Sequence, residues 1–163
     1  MTFKGLHETI QAAFLWFGSH LWEFDFAGRT YGLPFDDGFG GERIYKADTA
    51  RLTKLKDTGV TEFWYVYDMG DNWKHRIEVV DLFAAEKGAR LPRFLDGKWR
   101  APPEDVGGAP GFEMFLQALT DPEHPEHEDL TEWYGQLFDP EDIEADIIKA
   151  RMNRLAAMRN RGR

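Results

Sequence analysis

Residues 61–80, with the sequence TEFWYVYDMGDNWKHRIEVV, contain the strongest structural pattern of this 163-residue chain. The first half, up to Met69, is rich in β-branched and aromatic residues, which favour extended strands. Residues 70–72 have the composition of a turn, and the second half then alternates apolar with polar side chains. The stretch therefore predicts an antiparallel hairpin, one face of which carries Trp73, His75, Ile77 and Val79.

The part of the chain before the hairpin predicts two helices, a strand and a loop. Apolar residues recur every three or four positions over residues 6–17, which predicts an amphipathic helix that ends at Gly18. Residues 21–26 alternate and predict a half-buried strand, and residues 49–56 predict a short helix. Residues 32–42 contain four glycines and one proline, which predicts a surface loop with tucked-in phenylalanines; a binding loop is the alternative.

The part after the hairpin predicts an irregular segment followed by helices. Residues 88–111 contain five glycines and four prolines, whereas the dipeptides at 121–122 and 139–140, Asp-Pro in both cases, each predict the start of a helix. In the last helix Ile143, Ile147 and Met152 face the core, and residues 153–163 are expected to fray. The chain thus predicts an α+β fold, in which an antiparallel or mixed sheet around a central hairpin is packed by helices and the C-terminal part is helical.

Charge divides the chain into three parts. The 20 basic and 29 acidic side chains give a net charge of -9, which is not typical of a cationic nucleic-acid binder. Residues 1–100 carry 14 basic and 15 acidic side chains, residues 101–148 carry 14 acidic and no basic ones, and residues 149–163 carry six basic and no acidic ones. The middle part is therefore expected to face a basic partner, and the last part is the one place suited to phosphate contacts.

Composition also excludes several classes of protein. The chain has no cysteine, which excludes disulfides, thiolate zinc sites and a cysteine nucleophile, and its single serine, Ser19, makes a serine nucleophile improbable. No apolar run approaches the roughly 18 residues of a membrane span, and the first residues lack the apolar core of a secretory signal. We expect a cytoplasmic protein with no membrane partner.

Three ordered motifs resemble a known family. Residues 67–75, YDMGDNWKH, resemble the Tyr-Asp-Phe-Gly-Asp-x-Trp-x-His signature of the plasmid pRiA4b ORF-3-like family. Residues 102–116, with PPEDVGG, GF and FL, resemble its second signature, and residues 121–140, with DPxHPEH, a tryptophan and FDP, resemble its third. Residues 6–24 are similar to the family's helix–strand start, so the resemblance covers nearly the whole chain.

The resemblance implies a single α+β domain over residues 1–148, followed by a basic C-terminal helix end or tail over residues 149–163. It implies a bacterial or archaeal origin near plasmids and mobile elements; some relatives carry a transposon-resolvase-like name, and no biochemical activity defines the family. Relatives commonly begin with an extended segment, so a missing first strand would leave a sheet edge open for a homodimer. Phe94, Ala101 and Val106 stand where many relatives have cysteines, so a thiolate metal site is excluded here.

The first two motifs supply a candidate pocket. Carboxylates beside an imidazole can hold a divalent metal such as Mg²⁺ or Mn²⁺, or share acid–base work. The structural alternative is that these aspartates cap turn N–H groups and that the histidine is a hydrogen-bonded core residue. The Glu-Asp pair would then cap the following helix or hold its loop against the hairpin. The pocket residues are Asp68, Asp71, Trp73, His75, Glu104 and Asp105.

Two further groups are weaker candidates. His124 and His127 are spaced for one face of a helix and are weak metal ligands, although Pro125 interrupts the spacing and an exposed acidic helix start is the alternative. The tail offers phosphate-binding side chains, which can equally complement a helix C-terminus or pair with the acidic segment. These tail residues are Arg154, Arg159, Arg161 and Arg163.

Three functions are compatible with these patterns. The preferred one is a non-enzymatic binding or interaction domain with a protein partner, linked to plasmids or mobile elements, because no complete catalytic constellation is visible. The alternative is a metal-dependent hydrolase or nuclease-like enzyme that uses the candidate pocket. The second alternative is a nucleic-acid accessory factor that uses the basic tail.

Overall fold

The computed structural model describes residues 1–34 and 43–161 and contains, over that part of the chain, five helices and five strands in one sheet. Residues 35–42, which make up most of the loop predicted over 32–42, lie outside the described residues. The elements in chain order are α1 (Phe3–Phe14), β1 (Trp22–Phe26), β2 (Arg29–Gly32), β3 (Ile44–Lys46), α2 (Lys54–Thr58), β4 (Glu62–Tyr67), β5 (Trp73–Glu78), α3 (Gly108–Thr120), α4 (His127–Tyr134) and α5 (Ala145–Arg161).

The sheet has the strand order β3-β2-β1-β4-β5 and is mixed. Neighbouring strands are antiparallel except β2 and β3, which are parallel. The predicted hairpin is confirmed as β4 and β5, and Tyr65 is paired with His75 in the middle of its register. The α+β fold, the mixed sheet and the helical C-terminal part are therefore confirmed.

The core between α1 and the sheet is built from aromatic side chains. Phe3 is fully buried and stacks on Tyr31 with ring centroids 4.6 Å apart, and Phe24 lies 5.4 Å from Phe3. Burial of one such ring contributes about 1.5–3 kcal/mol to folding. The alternation of residues 22–26 explains this core, because every second side chain of β1 points toward α1.

The first helix is shorter than its apolar pattern predicts. It ends at Phe14, and Leu15 adopts the left-handed conformation with φ 60°. The chain turns there because Trp16 is buried against the sheet and its indole N–H donates to the carbonyl of Pro102 at 2.8 Å. Phe17, which was predicted to share the buried face, is 79% exposed.

The two Asp-Pro dipeptides form turns rather than helix starts. Asp121 ends α3, and its carboxylate accepts the amide of Glu123 at 3.0 Å; Asp139 accepts the amide of Glu141 at 2.9 Å in the same manner. Such Asx-turns compete with helix capping for the same side chain. The helices α4 and α5 consequently begin several residues later than predicted. The short helix predicted over residues 49–56 is likewise displaced, to α2.

The C-terminal helix packs against α1. Ile148, Met152 and Ala156 are buried there, whereas Ile147 is 47% exposed, so the prediction that Ile147 faces the core is wrong by one position. The helix continues to Arg161 instead of fraying after residue 153, because its second half still has apolar contacts and Arg159 donates to the carbonyl of Gly5 at 2.6 Å. Over the described residues, no helix combines the length and apolar character needed to cross a bilayer.

Candidate functional site

The pairing of the interior strands β1 and β4 brings two segments together at one end of these strands. Trp22 at the start of β1 pairs with Tyr67 at the end of β4, and the amide of Asp68 donates to the carbonyl of Leu21 at 2.9 Å. Residues just before β1 and just after β4 therefore meet. This geometry places His20 beside the first signature motif.

The hairpin turn is held by its own aspartates. Oδ1 of Asp68 accepts the amides of Gly70 at 2.9 Å and Asp71 at 3.3 Å, and Asp68 has a positive φ of 57°. Oδ2 of Asp71 accepts the amide of Gly107 at 3.2 Å, directly before α3. Both carboxylates thus satisfy backbone N–H groups, and the second one joins the hairpin to the loop of the second motif.

Tyr67 and Glu104 make the second link between these motifs. The buried Tyr67 hydroxyl donates to Glu104 and accepts the amide of Ser19 at 3.0 Å. The other carboxylate oxygen of Glu104 accepts the amide of Phe17 at 2.7 Å. Burial first, and the neighbouring Glu104 second, raise the pKa of Tyr67 above its ordinary value, so the phenol stays protonated and remains the donor.

His20 lies between two aspartates from different motifs. Its Nδ1 is 3.7 Å from Oδ2 of Asp68, and its Nε2 is 2.8 Å from Oδ1 of Asp105. Asp68 is buried, with 8% exposure, whereas the side chain of Asp105 is 67% exposed. The imidazole and the two carboxylates are a set of oxygen and nitrogen ligands of the kind that divalent metals use.

The other residues of the predicted pocket lie elsewhere. His75 packs between the rings of Phe14, Trp16 and Tyr65, at centroid distances of 5.0, 5.6 and 5.5 Å. Burial lowers its pKa, which keeps the imidazole neutral. Trp73 lies 6.2 Å from Trp16 on the same face. The structure therefore gathers Asp68, Asp71, Glu104 and Asp105 at one junction and places His75 and Trp73 in the aromatic layer beside α1.

The two histidines of the third motif each contact a different backbone group. Nδ1 of His127 lies 2.7 Å from the carbonyl of Ala118, and Nδ1 of His124 accepts the amide of Glu126 at 3.1 Å. The first contact attaches α4 to the end of α3, and the second closes the turn between them. Each ring thus has a local structural contact.

The basic C-terminal residues differ in exposure. Arg159 donates to the carbonyl of Gly5 and also pairs with Glu8 at 3.1 Å, whereas Arg154 is exposed. The side chain of Arg161 and residue Arg163 lie outside the part of the chain that the structure describes. Of the tail residues named from the sequence, Arg154 is the one that the described structure presents to solvent.

A cleft of about 810 Å³ opens beside this junction. Its walls come from the turn after α1, the segment 93–105, α4 and α5, and its rim carries the exposed rings of Trp99 and Trp133. Arg100 and Glu144 also line the cleft and pair with each other. Such a concave, partly aromatic surface is typical of a binding site.

The comparisons with known proteins agree with this architecture. The sequence model of the plasmid pRiA4b ORF-3-like protein family matches residues 1–147. The chain belongs to this family. It is 42% identical over 130 residues to the uncharacterized protein y4hQ of Sinorhizobium fredii, a match that covers 80% of this chain and 66% of that protein, just under two thirds of its length.

A solved structure of the same type is also known. The crystal structure of MM3350 from Methanosarcina mazei Go1, a protein of unknown function, matches with a TM-score of 0.78 and 34% identity, over 90% of this chain and 81% of that chain. The family and the fold are therefore shown. Neither description assigns a ligand, so the function has to be argued from the site itself.

Sequence reasoning missed two residues of this junction. His20 belongs to the start motif, and its position directly before a predicted strand becomes a usable signal once that strand is paired with the hairpin. Tyr67 belongs to the first signature, but its hydroxyl bond to Glu104 joins residues 37 positions apart in the chain. No local pattern predicts that contact.

Proposed function

We propose that this domain is a non-enzymatic interaction module that binds a basic, partly apolar segment of a protein partner. The observation that carries the proposal is a cleft with exposed aromatic rings beside a stretch of the chain that is rich in exposed acidic side chains. Residues 101–148 contain 14 acidic and no basic side chains. A link of this chain to plasmids or mobile elements, suggested by the family's name, stays a prediction.

The negative charge is exposed on α4 and on the turns and loops that flank it. On α4, Asp129 is exposed and stands four positions before Trp133, so the two side chains share a helix face. Among described ion pairs, Lys149 with Asp146, at 3.4 Å, is the one in which a lysine or arginine pairs with an exposed carboxylate of this block. The exposed acidic residues are Asp105, Glu113, Asp121, Glu123, Glu126, Glu128, Asp129, Glu132, Asp139, Glu141, Asp142 and Asp146.

The apolar part of the surface fits one side of an extended or helical segment. Trp99 is 57% exposed, Trp133 48% and Leu95 84%, and all three line the cleft. Tryptophan rings of this kind are frequent anchors of protein interfaces. The segment 93–105 also contributes the exposed Arg93 and Lys98 to the cleft, so we expect the basic residues of the partner to face α4 and the segment 139–146.

A peptide-binding assay tests the proposal. The probe is a fluorescein-labelled peptide of alternating lysine and leucine residues, and its comparison is a lysine–glycine peptide of equal length and charge. We expect saturable binding of the first peptide to the full chain by anisotropy, and binding of the second that is weaker by about tenfold, the equivalent of about 1.4 kcal/mol. Equal affinities for the two peptides would mean that binding depends on charge alone and that the apolar cleft does not contribute.

Matched variants then localise the binding. The double variant E128K/E132K changes the charge of α4, and D57K/E86K makes the same charge change at exposed positions away from the cleft. We expect the first to weaken binding by about tenfold and the second by less than about threefold. The variant W99A removes an exposed ring and should weaken the lysine–leucine peptide alone. Equal effects of both double variants, or no effect of W99A, would contradict the proposal.

A further inference from the structure

Three side chains that can bind a metal lie close together at the junction between the first two motifs, beside the ends of β1 and β4. His20 precedes β1, Asp68 follows β4 and Asp105 belongs to the loop before α3, so the site is assembled from three distant parts of the chain. One ligand atom from each residue can be chosen so that all three lie within 4.8 Å of one another. Among the residues that the structure describes, this is the group with that property.

The spacing fits a common ion after a small side-chain movement. Imidazole nitrogens and carboxylate oxygens bind Zn²⁺ at about 2.0–2.2 Å, so two ligands of one ion are at most about 4.4 Å apart. The separation of 2.8 Å between His20 Nε2 and Asp105 Oδ1 lies within that limit. Ligand atoms of all three residues lie within 4.8 Å of one another, so a shift of a few tenths of an ångström brings Asp68 into range as well.

A buried nitrogen supplies a second, independent observation. Nε2 of His20 is inaccessible to solvent and makes no hydrogen bond among the described residues, although Oδ1 of Asp105 is 2.8 Å away. The oxygen lies close to this nitrogen without the alignment that an N–H···O bond requires. A buried ring nitrogen without a hydrogen-bond partner lowers the stability of the fold, unless a cation binds its lone pair.

The position of Asp68 also favours a bound cation. Its Oδ1 is used by the hairpin turn, so the carboxylate is fixed in place while Oδ2 faces the His20 ring. Asp68 is 8% exposed, and a buried carboxylate is stabilised by a cation more strongly than an exposed one. Asp105 at the surface leaves an open side through which an ion and its waters can enter.

We propose that His20, Asp68 and Asp105 bind one divalent transition-metal ion, with water in the remaining coordination positions. The imidazole favours Zn²⁺ and its first-row neighbours over Mg²⁺, which prefers oxygen ligands alone. The ion would join the start of β1, the end of β4 and the loop before α3. The variants that test this site differ from those that test peptide binding, so either proposal can fail while the other holds.

The test uses the full chain after treatment with a chelator. Zn²⁺ is titrated by calorimetry, and Co²⁺ is titrated by absorption, since its visible bands report ligands bound directly to the metal. We expect one Zn²⁺ per chain, and weaker binding by at least about tenfold in the variant D105N. Because the side chain of Asp105 is exposed, this variant should fold; its circular dichroism and thermal unfolding without metal check that it does.

Two further variants separate this site from adventitious binding. H20Q removes the imidazole of the proposed site, whereas H124Q removes a histidine of the third motif that is weakly suited to bind metal by itself. We expect H20Q to lose the Co²⁺ bands and H124Q to keep them. Binding that is unchanged in D105N, binding that is lost in H124Q, or no binding of Zn²⁺ by the original chain would each overturn the proposal.

Discussion

The hydroxyl of Tyr67 donates to the carboxylate of Glu104 and thereby joins the last residue of β4 to the loop that precedes α3. The same hydroxyl accepts the amide of Ser19, so one buried oxygen connects three segments of the chain. Asp71 strengthens the junction through its contact with the amide of Gly107. The two signature motifs of the family therefore act together as one structural unit.

Removal of this hydroxyl should destabilise the domain. In Y67F the ring is retained, but Glu104 and the amide of Ser19 each lose a partner in a partly buried setting. We expect the free energy of unfolding in urea to fall by about 1–3 kcal/mol. The control is Y45F, which removes a hydroxyl from a half-buried ring of β3 and should cost less than about 0.5 kcal/mol. Equal losses in both variants would contradict the role given to Tyr67.

The stability of the domain should fall as the pH is lowered from 7 to 5. Burial, with a smaller contribution from Lys4, lowers the pKa of His7 to about 4 from 6.5 in the unfolded chain. Between these two values the unfolded chain binds more protons than the folded one, so stability is complete above about pH 6.5 and is lost as the pH falls toward 4. From pH 7 to pH 5 the loss due to His7 is about 2 kcal/mol.

Urea unfolding at several pH values checks this dependence. His75, whose pKa burial also lowers, adds a loss of the same sign. In H7Q the slope between pH 7 and 5 should become clearly smaller, although the ring lost from its stack on Trp22, at a centroid distance of 4.0 Å, also lowers stability at all pH values. H124Q is the control and should keep the original slope. An unchanged slope in H7Q would show that His7 is not the titrating group.

A methyl group added at Gly108 should disturb the contact between α3 and the hairpin turn. Gly108 has a φ of 67°, and a Cβ there would lie 2.8 Å from the carbonyl oxygen of Asp71. Gly88 has a similar positive φ of 84°, but a Cβ there meets no atom within 4 Å. Both G108A and G88A incur the left-handed backbone cost of about 1–2 kcal/mol, and only G108A adds a steric cost of about 1 kcal/mol or more. Thermal unfolding should therefore separate the two variants; the same Tm for both would disprove the close contact.

Truncation of a side chain in α5 tests whether this helix belongs to the folded domain. Met152 is 4% exposed and packs between α5 and α1, whereas Met158 on the same helix is 53% exposed. We expect M152A to lower the free energy of unfolding by about 2–5 kcal/mol and M158A to lower it by less than about 0.5 kcal/mol. Small and equal losses would mean that α5 is not held against α1 in solution.

Local sequence predicts the elements in which neighbouring residues carry the signal. The alternation of residues 73–78 is visible without any other part of the chain, and it is confirmed as β5. Helix boundaries were less predictable, because Trp16 leaves α1 in order to enter the core and Asp121 closes a turn in place of capping a helix. In both cases a contact elsewhere in the fold, or a competing local bond, replaced the expected one.

The candidate site, too, is only partly predictable from local sequence. Composition and short-range spacing are sufficient to predict the α+β class, the hairpin, the acidic character of residues 101–148 and the carboxylates of the two signature motifs. The proximity of His20 to Asp68 and Asp105, and the position of His75 in the aromatic layer, depend instead on how distant segments pack. The pairing of β1 with β4 and the docking of the loop before α3 bring together residues 20, 68 and 105, and sequence spacing carries no information about such distant contacts.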